Sequence, residues 1–112
     1  MPPPKKDRLA EAFLEAMEFE RNASPRTLVN YRHALMSFKA QPGVPGWREC
    51  DADHFRRYLF ECLKAKKSRA TVRLHFAALR TFYKFLVERH GLADNPLKEV
   101  QLPKAEKKLP LL

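Results

Sequence analysis

A chain of 112 residues is long enough for one domain whose core buries near two-thirds of the unfolded surface, and too short for two. Its apolar fraction of 45% is that of a globular protein, and its apolar runs fall far short of the roughly 20 residues of a membrane helix, so no membrane partner is expected. The charge is less ordinary: 22 Lys and Arg stand against 13 Asp and Glu, a formal +9, which attracts nucleic acid or another polyanion.

The excess is unevenly spread. Residues 7–21 hold Asp7, Glu11, Glu15, Glu18 and Glu20 against Arg8 and Arg21, a local −3, whereas residues 22–112 sum to +10. The basic surface therefore lies beyond the first helix. The start, Met1-Pro2-Pro3-Pro4-Lys5-Lys6, lacks the apolar stretch of a signal peptide, which points to a cytoplasmic chain with Cys50 and Cys62 reduced. Neither cysteine has a CxxC neighbour or a His at ligand spacing, so no zinc and no other cofactor is expected.

In chain order, residues 1–6 are Pro-rich and charged and read as a disordered arm. A first helix follows over about 7–21, with Leu9, Ala12, Phe13, Ala16 and Met17 on one apolar face. Ser24-Pro25 is a helix start, Ser as N-cap and Pro where its missing N–H costs nothing. The second helix runs to about Ala40, with Leu28, Tyr31, Leu35 and Phe38 inward and Arg26, Asn30, His33 and Ser37 outward. Pro42, Gly43, Pro45 and Gly46 enforce a loop, and Trp47 is expected to plug the gap it leaves. Asp51 or Asp53 caps a third helix that turns Phe55, Tyr58, Leu59, Cys62 and Leu63 inward and ends in Lys64, Lys66 and Lys67, where cations suit the macrodipole.

Ser68 caps the fourth and longest helix, which extends to about His90 and stops at Gly91. Arg69, Arg73, Arg80 and Lys84 project within about 60° of one another along it, a stripe roughly 22 Å long. Val72, Phe76, Leu79, Phe82, Tyr83 and Leu86 fill the adjoining arc, and Leu74, Ala78 and Phe85 are expected to add a second buried side, which makes this helix central. Asp94-Asn95-Pro96 opens a short turn or fifth helix ending near Val100. From Gln101 the chain is charged and punctuated by proline, and reads as a linker cut short. The fold class is all-α, a four-helix orthogonal bundle spanning residues 7–100, with 101–112 as the start of a linker.

The segment Ser68-Arg69-Ala70-Thr71-Val72-Arg73-Leu74-His75-Phe76-Ala77-Ala78-Leu79-Arg80-Thr81-Phe82-Tyr83-Lys84-Phe85-Leu86, followed by Asn95-Pro96 and Leu102-Pro103-Lys104, resembles the last helices and exit linker of the N-terminal, SAM-like core-binding domain of tyrosine recombinases of the Xer and phage-integrase type. Phe13-Leu14 and the run Ser24-Pro25-Arg26-Thr27-Leu28-Val29-Asn30-Tyr31-Arg32-His33-Ala34-Leu35-Met36-Ser37-Phe38 are similar to the family's first two helices. The likeness covers roughly residues 9–104. It implies a domain that forms half of a clamp on double-stranded DNA at a recombination half-site, with the second and fourth helices at the major groove and another face meeting neighbouring recombinase protomers. The DNA-contact candidates it implies are Arg26, Thr27, Asn30, Tyr31 and Arg32, with Arg69, Thr71, Arg73, Arg80 and Lys84. Tyr31 doubles as a core candidate, because the helical wheel sets it in the apolar arc.

The family's chemistry belongs to a second domain that supplies cations around the scissile phosphate and a nucleophilic Tyr. That set is not found here, and no catalytic residue is expected. His54-Phe55-Arg56-Arg57 spells the family's His-x-x-Arg, but inside a helix that precedes the linker, out of its context. The competing reading is a stand-alone basic adaptor for an acidic protein or RNA; a gene that continues past Leu112 into a catalytic domain decides against it. The tail favours a fragment of a longer protein.

Overall fold

A computed structural model describes residues 7–103, so the arm at 1–6 and the linker beyond Pro103 lie outside the described residues. Four α-helices follow in order: α1 (Arg8–Phe19), α2 (Pro25–Lys39), α3 (Ala52–Lys64) and α4 (Arg69–Arg89), with short 3-10 turns at Trp47–Glu49 and Pro96–Glu99. No strand occurs among the described residues. Each helix starts on a side chain that accepts one of its orphan N–H groups: Asp7 from Ala10, Ser24 from Thr27, Asp51 from His54 and Ser68 from Thr71. The α4 helix ends at Gly91, whose φ of +71° is open to glycine at little cost. The α3 helix ends in the same way with a lysine in the left-handed position, Lys66 at φ +60°.

The α4 helix is the axis of the core, with Val72, Phe76, Leu79, Phe82, Tyr83 and Leu86 all at most 1% exposed. Phe13 of α1 meets Phe82 and Phe85, Phe38 of α2 stacks on Phe55 of α3, and Phe55 and Tyr58 meet Tyr83 and Phe76. Offset and edge-on aromatic contacts of this kind add to area burial and fix mutual orientation. Trp47 seals the end beneath the proline loop: it stacks on Phe38, donates from Nε1 to Asp7 Oδ2 at 2.5 Å, and its carbonyl accepts the Tyr83 hydroxyl at 2.7 Å.

Two apolar expectations fail. Leu63 is 40% and Leu74 52% exposed. Both lie beside the α3–α4 connection, Leu63 in the last turn of α3 and Leu74 near the start of α4. The second buried side of α4 is realised further along, where Ala78 and Phe85 are covered. Helical phase predicts which way a side chain points, not whether a neighbour reaches that end of the helix. After α4 the chain turns back, burying Leu97 and Val100 against the bundle.

Candidate nucleic-acid interface

The helices that carry the candidate residues begin with the same polar device. Ser24 Oγ accepts the Thr27 amide at 3.2 Å and donates its hydrogen to Thr27 Oγ1 at 3.0 Å. Ser68 does the same with Thr71, at 3.1 and 2.9 Å. Each Ser proton is used inside the cap, so each Thr hydroxyl keeps its own proton for an outside acceptor. Arg26 and Arg69 are exposed within the first turns, where the remaining N–H groups and the dipole favour an anion.

Along α2, Arg26, Arg32 and His33 are exposed and Asn30 half-buried. Val29, at 66%, and Met36, at 39%, are large apolar residues on that same outer side. Tyr31 is half-buried, its ring 5.5 Å from that of Phe13, and it lines an open cleft of about 350 Å³ together with Met17, Thr81, Lys84 and Phe85. The tyrosine therefore belongs to the rim of the core.

Along α4, Arg69, Arg73, Arg80 and Lys84 are all exposed, as their common phase requires, and Thr71 is half-buried. Arg73 and Arg80 bond the described part of the exit segment. Arg80 Nη2 donates to the Val100 carbonyl at 3.0 Å and Arg73 Nη1 to that of Pro103 at 3.4 Å. Arg56 on α3, outside the candidate set, donates to the neighbouring Glu99 carbonyl at 3.4 Å. Nothing local in the sequence signals it, because its acceptor lies 43 residues further on.

The acidic helix α1 ties down the flanks. Glu11 takes Arg32 in a two-pronged ion pair, and Glu20 takes Arg89 in another, at 2.8 and 2.5 Å. The Arg89 bond holds the Glu20 carboxyl below its ordinary range, against a smaller opposing effect of burial. Arg32 thus already carries a carboxylate on its fork.

His54, His75 and the two cysteines are used within the bundle. His54 Nδ1 accepts the Asp51 amide at 3.0 Å while Asp51 accepts that of His54, a capping box with His in the place usually held by Glu or Gln. His75 is buried, 3.1 Å from the Tyr58 hydroxyl. Cys50 and Cys62 are buried and unpaired by disulfide, and burial raises both thiols. Among the described residues no three His, Cys, Asp or Glu gather as a metal site, and no helix is long and apolar enough to cross a membrane.

An all-α bundle with two capped, cation-bearing helices defines a small helical module with a surface fit for a polyanion. Residues 10–90 match the family described as phage integrase, N-terminal SAM-like domain, and the chain belongs to that family. It is 35% identical over 103 residues to tyrosine recombinase XerC of Shigella dysenteriae and of Shigella flexneri, and 34% identical to that of Escherichia coli strain K12 / DH10B. Each match covers 89% of this chain and 35% of the relative, so the chain spans about a third of their length. No solved structure matches it significantly.

Proposed function

We propose that this domain binds double-stranded DNA through the outer faces of α2 and α4, as the DNA-positioning part of a tyrosine recombinase acting in site-specific recombination. The single observation that carries the reading is the aligned, exposed run of Arg69, Arg73, Arg80 and Lys84 on the helix that also forms the core. Arg26, Thr27 and Asn30 on α2 and Thr71 on α4 complete the surface. Arg32 joins it when Glu11 lets go, and Tyr31 contributes from the cleft edge. Such contacts go mainly to phosphate, which positions a protein on the duplex, with base readout from the fewer side chains that reach a groove.

In this reading residues 7–100 are the binding domain and 101–112 begin a linker to a catalytic domain, with neighbouring protomers as partners of the whole protein in the cytoplasm. The domain itself cleaves nothing. A nicked duplex that traps covalent intermediates is expected to yield no adduct through Tyr31, Tyr58 or Tyr83. The decisive experiment is a titration of labelled duplex against salt. Neutralising about four to six phosphates gives a slope of log K on log salt of roughly −4 to −5. A flat salt response, or equal affinity for an acidic protein, overturns the reading.

A further inference from the structure

The exit segment lies along the same cations. From Arg80 back to Arg73 is about 10 Å of helix axis, and from Val100 to Pro103 is about 10 Å of extended chain. The two hydrogen bonds, Arg80 to Val100 and Arg73 to Pro103, are therefore in register for an extended segment running antiparallel to α4. Its root is firm: Leu97 is fully buried, Val100 is 3% exposed, and Asn95 Nδ2 donates to the Arg80 carbonyl at 3.4 Å. Its far end is looser, with Leu102 and Pro103 half-buried.

We infer, building on the duplex reading above, that Val100–Pro103 is the resident occupant of part of the phosphate-binding stripe, its carbonyl oxygens standing on Arg73 and Arg80 where phosphate oxygens go, and that a duplex displaces it from the Pro103 end. Guanidinium bonds to phosphate are charge-assisted on both sides and often two-pronged, roughly twice as strong as bonds between neutral groups. A single neutral carbonyl 3.4 Å from Arg73 is a poor competitor. The Arg80 bond, shorter and rooted beside buried Val100, yields second.

Arg56 stays behind as a positioning residue. It bonds Asp53 at 2.8 Å as well as the Glu99 carbonyl, and it lies on α3 rather than on the helix that carries the stripe. It keeps the root of the segment in place while the rest swings. The displaced chain leads into a basic stretch, Lys104, Lys107 and Lys108 with Glu106 as the one acid among residues 104–112, a charge balance that a phosphate field attracts.

The test is nuclear magnetic resonance on the isotope-labelled chain, free and saturated with a 20-base-pair duplex, with binding followed separately by fluorescence anisotropy. Heteronuclear NOEs at Gln101 and Leu102 report fast motion, and the carbonyl shifts of Val100 and Pro103 report their hydrogen bonds. In the free chain the NOEs are expected to be near those of helical amides, and Arg73→Gln is expected to lower them at Leu102 while leaving those of α4 unchanged. Duplex is expected to do the same to the wild-type chain, with the Pro103 carbonyl shift moving before that of Val100. Duplex binding that leaves the NOEs and both shifts unchanged overturns displacement and leaves the duplex reading standing. No duplex binding overturns that reading, and displacement with it. A free Arg73→Gln chain with NOEs equal to wild type overturns the hold on the segment in either case.

Discussion

Glu11 on α1 holds Arg32 on α2 in a two-pronged ion pair that joins the acidic helix to the edge of the basic face. The local −3 of residues 7–21 is thus partly spent on cations of the other helices, since Glu20 holds Arg89 likewise. Where a carboxylate already occupies a guanidinium fork, a phosphate gains less from it.

It follows that Glu11→Gln strengthens duplex binding. The substitution removes a repulsive charge and frees Arg32 for one more phosphate, so the salt slope is expected to steepen by about one. Glu15→Gln, which removes the same charge from the exposed side of α1, raises affinity slightly and leaves the slope unchanged. Anisotropy titrations at three salt concentrations separate the two; equal slopes for both variants would rule out the role given to Arg32.

Neutralising cations of the basic surface on α2 and α4 works in the opposite direction. Arg26→Gln and Lys84→Gln take no part in the hold on the exit segment, so each reports phosphate contact alone. Each is expected to weaken binding to duplexes of any sequence about equally and to flatten the salt slope by about one. The same titrations on two duplexes of unrelated sequence check this, and a loss confined to one of them would make the residue a base reader instead.

The sequence exposed what is local and concealed what is distant. Ser24, Asp51 and Ser68 announce their helices because a cap and its acceptor sit within one turn, and Trp47 beside Gly-Pro breakers announces a plug. The alignment of Arg69, Arg73, Arg80 and Lys84 follows from helical period alone. Their company does not. Glu11 reaches Arg32 across 21 residues, Arg80 finds Val100 across 20 and Arg73 finds Pro103 across 30, and no periodicity encodes such pairs. Leu63 and Leu74 fail for the same reason, since burial is decided by the neighbouring element and not by the wheel.

Lys66 marks a local strain that substitution relieves. It sits at φ +60° in the turn that ends α3, where Lys66 N–H returns to the Leu63 carbonyl and Lys67 N–H to that of Cys62, the bonding pattern in which glycine is usual. The left-handed conformation costs a side-chain-bearing residue about 1–2 kcal/mol, against about 0.4–1 kcal/mol for the extra freedom glycine has when unfolded. Lys66→Gly is therefore expected to stabilise the domain by about 0.5–1 kcal/mol, read as a higher urea midpoint with an unchanged m-value. Lys66→Val, branched at Cβ, should destabilise it.

His75 gives the fold a pH dependence with a definite sign. Its ring is 4% exposed, 3.1 Å from the Tyr58 hydroxyl and edge-on to His33 at 5.3 Å. Burial, reinforced by the nearby charges of His33 and Lys67, holds it below the ordinary imidazole value of 6.5. The folded chain thus binds the proton less readily than the unfolded one. Stability from this group is complete above about pH 6.5 and is lost as the pH falls through the lower folded value, because the unfolded state then takes up the proton first. Between pH 7.5 and 5.5 the urea midpoint of the wild-type chain is expected to drop. Glu20, Asp51 and Asp94, held below their ordinary carboxylate values by Arg89, by the His54 backbone N–H and by Lys98, add their losses only at lower pH. His75→Gln keeps a partner for Tyr58 without a titrating ring, so it lowers the midpoint at pH 7.5 yet flattens the decline below it. Parallel declines in the two proteins would assign the pH dependence to another group.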